Sequence, residues 1–183
     1  MAHLFRTKAP QRTCNKKRAS YHNYKDNLAK DFNNKCGYTN CADHWFGGKR
    51  CFQIDHFKPE SKYPQLKNEY SNLIYCCSYV NRAKWDDEST HYLDPCDVDY
   101  NQHFERDDCG IICAKAGDAD AEYMVEKMNL NLARYSIMWN LERLENSIDR
   151  LKPLVKANNN IEPILCKLLS LYYDTVKSLR LNQ

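Results

Sequence analysis

No apolar run in this sequence approaches the ~20 residues that a membrane span requires. The stretch from Met1 to Arg18 also lacks the apolar segment that a secretory signal carries. A cytoplasmic protein without membrane contact is therefore expected. The ten cysteines lack the even spacing of a disulfide framework, and they read as reduced thiols. Acidic residues are missing ahead of Asp26, whereas Arg6, Lys8, Arg12, Lys16, Lys17 and Arg18 all precede it. Between Asp86 and Glu126 the balance reverses, so the net charge of +3 conceals a strong asymmetry. A phosphate-binding end is expected, with Arg12, Lys16, Lys17 and Arg18 as contacts to nucleic acid. A solvated charged surface is the alternative.

What is present fits one domain of 183 residues with an appendage. Residues 1–20 read as an extended basic arm. Tyr21, Tyr24, Leu28 and Phe32 share one helical face, which predicts a short amphipathic helix ended by Asn33-Asn34. Gly47-Gly48 marks a turn, and Cys51 to His56 reads as a strand. Glu69 to Cys77 carries Tyr70, Leu73 and Tyr75 with strand-like alternation. Tyr92 to Tyr100 reads as an irregular acidic loop without the glycine and glutamate of a calcium hand, so Asp94 is taken as a cap or turn residue. His103 to Ile112 predicts a hairpin that turns at Asp108-Cys109-Gly110.

The chemistry concentrates between Ile54 and Lys84. Asp55 and His56 close a short apolar run, Pro59 follows, then a polar loop, Ser71-Asn72-Leu73, and Val80-Asn81-Arg82-Ala83-Lys84 opening a helix. A histidine can take a proton from water near neutral pH, and its neighbour on a strand points to the other face. Asp and Asn oxygens suit Mg²⁺, or Mn²⁺ in its place. His56 is thus the candidate general base, with Asp55 and Asn81 as candidate metal ligands. Lys84 lies one helical turn beyond Asn81 and is expected to meet the scissile phosphate. Lys58, Lys62 and Arg82 are candidate contacts to flanking phosphates.

This order, DHxxP, then NL, then C and NxxK, resembles the HNH endonuclease family, whose shared unit is a β-hairpin, a loop and a helix around one metal ion. The resemblance implies an α+β fold in which residues 21–120 hold the N-terminal helix, a small ββα-metal core, and the acidic loop and hairpin, with a helical region at 121–183. It implies that Asn72 braces the loop and orients His56, and that hydrolysis leaves a 5′ phosphate. Many such proteins also carry a four-cysteine zinc site. Cys36 and Cys77 match it, while Thr39 and Val80 stand where the other two thiolates would be. A replacement set of Cys36, Cys41 and Cys77 is conceivable, but loss of one ligand from each half argues against a structural zinc. Leu93-Asp94-Pro95 and the hairpin after it are similar to a bacterial subgroup that includes relatives of the HNH subunits of Septu-type and retron-associated anti-phage systems.

Ile137, Leu141, Leu144, Ile148 and Leu151 repeat at helical spacing up to Pro153, and Ile161 to Leu179 repeat likewise. An antiparallel helix pair is expected, packed on the core or presenting a stripe to a second copy or to a partner ATPase. The functional expectation is a metal-dependent endonuclease acting on DNA. A toxin-like RNase acting on tRNA and a non-cleaving nucleic-acid-binding module are the alternatives.

Overall fold

The computed structural model describes residues 2–157 and 159–181, and its architecture is α+β with small antiparallel sheets. β1 (His3–Leu4) is followed by an extended segment and a 3-10 turn at Tyr21–Tyr24 that leads into α1 (Lys25–Asp31). Tyr24, Leu28 and Phe32 recur every fourth residue and are all buried, which gives α1 one apolar face. The helix stops where Asn33 and Asn34 adopt left-handed φ values of 55° and 57°, a conformation that asparagine tolerates better than most residues.

A second 3-10 turn, Asp43–Phe46, and the left-handed glycines Gly47 and Gly48 return the chain to β2 (Gln53–His56). β2 pairs antiparallel with β3 (Leu73–Cys76), with Ile54 opposite Tyr75 and Asp55 opposite Ile74. All four residues of β3 are buried, whereas β2 leaves Gln53 exposed and one edge unpaired. Both strands are shorter than the sequence predicts, β3 because the chain at Tyr70–Asn72 winds as a 3-10 turn before it extends. α2 (Ser78–Lys84) follows at once and packs back on β2. The local order is therefore hairpin, then helix.

α3 (Tyr100–His103) leads into the hairpin β4 (Phe104–Arg106) and β5 (Ile112–Ala114), and β1 adds to its edge in the order β1-β4-β5. This corrects the reading of residues 1–20 as a basic arm. His3 pairs with Arg106, and Phe5 is buried against the rings of Tyr100 and Phe104. The Arg6 guanidinium donates to the Gly37 carbonyl at 2.7 Å and stacks 4.1 Å from the Tyr100 ring centre. Apolar burial at Phe5 outweighs the charge around it, so only the later part of the segment stays on the surface.

α4 (Ala119–Lys127), α5 (Ala133–Leu151) and α6 (Glu162–Leu181) complete the chain. Ala121, Met124, Tyr135, Met138 and Leu141 belong to the same buried cluster as Leu28, Leu73 and Phe104, so packing continues across residue 120. α6 lies along α5, joined by the Tyr172 hydroxyl donating to Glu145 at 2.7 Å. Ile164, Leu169, Leu171 and Tyr173, on either side of its packed face, are exposed. No helix among the described residues is long and apolar enough to cross a membrane.

The β4–β5 turn depends on Gly110. Its φ is +86°, and a Cβ there would sit 2.4 Å from Cε3 of Trp139 on α5. Its carbonyl also accepts from the buried Arg106 guanidinium at 2.7 Å. Gly110→Ala should lower stability by roughly 2–4 kcal/mol, from left-handed strain plus overpacking. Urea unfolding would show it; an unchanged midpoint would mean that the turn relaxes freely.

Candidate active site

His56 ends β2, and its ring is held from two sides. Nε2 lies 2.9 Å from the Lys67 carbonyl, which can only accept, so Nε2 carries the proton of the neutral ring. Nδ1 is then the nitrogen with the free lone pair. The Tyr21 ring packs edge-on against the imidazole at 4.7 Å.

Lys67 is presented by the long loop between β2 and β3, and Asn72 braces that loop. Its Oδ1 accepts from the Lys58 amide at 2.8 Å, and its Nδ2 donates to the Lys58 carbonyl at 3.0 Å. The Asn72 carbonyl accepts from the Phe57 amide as well. The Pro59 carbonyl accepts from the amides of Lys62 and Tyr63, folding the loop on itself. Asn72 is buried, so each of these bonds replaces a contact with water that is no longer available.

Asp55 points to the other face of β2, where α2 covers it. The Tyr38 hydroxyl donates to one carboxylate oxygen at 2.6 Å and the Lys84 ammonium to the other at 3.1 Å. Lys84 also donates to the His56 carbonyl at 2.8 Å. Asp55 is 3% exposed and Lys84 0%. Burial raises the Asp55 carboxyl above the ordinary range, and the ammonium and the tyrosine hydroxyl oppose that rise. One turn earlier on α2, the Asn81 amide donates to Gln53 at 2.7 Å, and its carbonyl oxygen has no protein partner among the described residues.

The resemblance implies a divalent ion on Asp55 and Asn81, which are hard oxygen donors by type, while both Asp55 oxygens already accept, from Tyr38 and from Lys84. A carboxylate and an amide oxygen from facing elements are hard ligands, and Mg²⁺ completes such a pair with water and substrate phosphate. Among the described residues there is no group of three or more His, Cys, Asp or Glu that could hold a metal ion. The cation already on Asp55 is the Lys84 ammonium, so an ion there would take its place.

The structure redistributes several residues singled out from the sequence. Lys84 does not reach the surface, which corrects its expected contact with the scissile phosphate: its charge is committed to Asp55. Arg12 pairs with Asp94 at 2.8 Å, which commits its guanidinium, whereas Arg18 donates to the neutral Asn27 at 3.0 Å and keeps its charge uncompensated by that bond. Lys16, Lys17, Lys58, Lys62 and Arg82 are exposed, with Lys62 paired to Glu88 at 3.3 Å. Cys36 and Cys77 meet in the core with Thr39 and Val80 fully buried beside them, and Cys41 turns its sulfur to the carbonyls of Thr39 and Tyr135. Sequence reasoning missed Tyr38, which lies between Cys36 and Cys41 in a stretch weighed only for its cysteines. It also missed Gln53, whose signal was its position two residues before Asp55 on one strand face.

The Asp55–Lys84 pair gives a direct test. Lys84→Met should cost about 3–5 kcal/mol, because the carboxylate is left buried without its counter-charge. Adding Asp55→Asn should recover part of that loss in urea unfolding. A single variant as stable as the parent would exclude a clamping role for the pair.

No protein-family model, no curated protein and no solved structure matches this chain.

Proposed function

We propose that this chain is a metal-dependent endonuclease of the HNH kind, hydrolysing phosphodiester bonds in DNA with His56 as general base. The observation that carries the reading is the Lys67 carbonyl at Nε2 of His56, which leaves Nδ1 ready to accept a proton. The order of hairpin and helix, and the Asn72 brace, support it.

In this mechanism Nδ1 removes a proton from the water that attacks phosphorus, and the 3′ oxygen leaves, giving a 5′ phosphate. A divalent ion held by Asp55 and Asn81 would supply Lewis-acid stabilisation of the phosphate and of the leaving oxygen. Tyr21 and the Lys67 carbonyl keep the imidazole in one orientation, so little reorganisation is needed at the moment of reaction. All ten cysteines are free thiols, in keeping with a reducing, cytoplasmic setting. The exposed apolar residues of α6 offer contacts for a second copy or a partner ATPase, and the Leu93-Asp94-Pro95 resemblance supports a role in phage defence.

Supercoiled plasmid, single-stranded DNA and total tRNA, each incubated with Mg²⁺, Mn²⁺ or EDTA, test the reading. Plasmid cutting that stops in EDTA is expected, and His56→Ala should lower the rate by about 10²-fold or more. Full activity in His56→Ala would sink the assignment of the base. Loss of tRNA alone would point to the RNase, and binding without cutting to the non-cleaving module.

A further inference from the structure

A cleft of about 580 Å³ lies beside β2, which contributes Gln53 and Ile54 to its lining. Tyr21, His22, Lys25, Lys49, Arg50 and Asn81 line it as well. None of its lining residues is acidic. The candidate centre borders this cleft: Asn81 lines it, and Tyr21 lines it while its ring packs against that of His56, which stands just outside the lining.

The cations around the cleft differ in how free they are. Lys49 is paired with Asp26, and Lys25 donates to the Phe52 carbonyl beneath the surface. Arg50 is exposed and makes no hydrogen bond, ion pair or ring contact among the described residues. On the approach to His56 over the long loop, Lys62 is matched by Glu88 at 3.3 Å and Lys67 by Glu60 at 2.6 Å, and Lys58 lies over the Tyr63 ring, its ammonium 5.5 Å from the ring centre. A polyanion gains most where cations lack carboxylate partners, because each phosphate it presents then releases counterions without competition.

We propose that this cleft, and not the lysines of the long loop, receives the sugar–phosphate backbone of the nucleic-acid strand, with Arg50 as its principal phosphate contact. The assignment rests on the nuclease reading for its substrate class, and a phosphate backbone is common to DNA and RNA.

The test measures binding apart from cutting. The full chain carrying His56→Ala is titrated with a fluorescein-labelled oligonucleotide, as single-stranded DNA, duplex DNA and RNA of one sequence, and anisotropy is followed across a salt series. Arg50→Glu should weaken binding about tenfold or more and reduce the slope of log K against log salt by about one. Lys167→Glu on α6 applies the same change of charge elsewhere and should leave binding within about twofold. The probe bound most tightly distinguishes DNA from RNA. A larger loss in Lys62→Glu than in Arg50→Glu would overturn the proposal, as would unchanged binding in Arg50→Glu or no binding of any probe. Should the otherwise unmodified chain cut nothing while Arg50 still governs binding, the cleft stands and the nuclease reading fails. Cutting that needs His56 but ignores Arg50 gives the reverse.

Discussion

A single buried ammonium holds the centre of this protein together. Lys84 bonds the Asp55 carboxylate and the His56 carbonyl at once, so one cation fixes both residues of the Asp-His pair to α2. Removing two charges from water is costly, and such a pair persists only when its remaining hydrogen-bonding capacity is filled. Tyr38 does this from the side of the core. The geometry follows from element periodicities. Two residues along a strand advance about 6.7 Å and three along a helix about 4.5 Å. Gln53 and Asp55 on β2 can therefore each meet a side chain of α2, at Asn81 and Lys84, across one interface.

The other face of β2 is organised by backbone groups instead of charge. The long loop after His56 has its own internal order, from the bonds at Pro59 through the 3-10 turn at Pro64–Leu66 to the Asn72 brace. Loops of this length without long helices or strands are uncommon in small domains unless they carry function. Here the product is one carbonyl, that of Lys67, delivered to one imidazole nitrogen. Neither residue is adjacent in sequence to the group that positions it, so the alignment belongs to the folded state.

Much of this was legible from spacing. The faces of α1 and α5 and the hairpin turning at Asp108-Cys109-Gly110 follow from periodicity and residue type, and the bracing position of Asn72 is what the resemblance implies. What escaped was whatever depends on contacts between distant segments. The basic run before Asp26 reads as a free arm until Phe5 finds the pocket between Tyr100 and Phe104 and Arg12 finds Asp94. Lys84 shares a helical face with Asn81, which predicts an outward role, yet the depth of Asp55 beneath that face is a tertiary fact. The cleft beside β2 is assembled from three separate stretches, and of its lining residues only Asn81 belongs to a motif.

The closure between Arg6 and Asn101 bears on how such a chain can vary. Their backbone and side-chain groups bond reciprocally, at 3.1 and 3.0 Å, across 95 positions of sequence. Entropy of closing a segment grows only with the logarithm of its length, so doubling it costs about 0.6 kcal/mol. Insertions within the long loop would hardly disturb that closure. They would, however, carry the Lys67 carbonyl away from His56. Length variation is thus nearly invisible to stability while it is decisive for the imidazole, and the fold and the centre it carries answer to separate constraints.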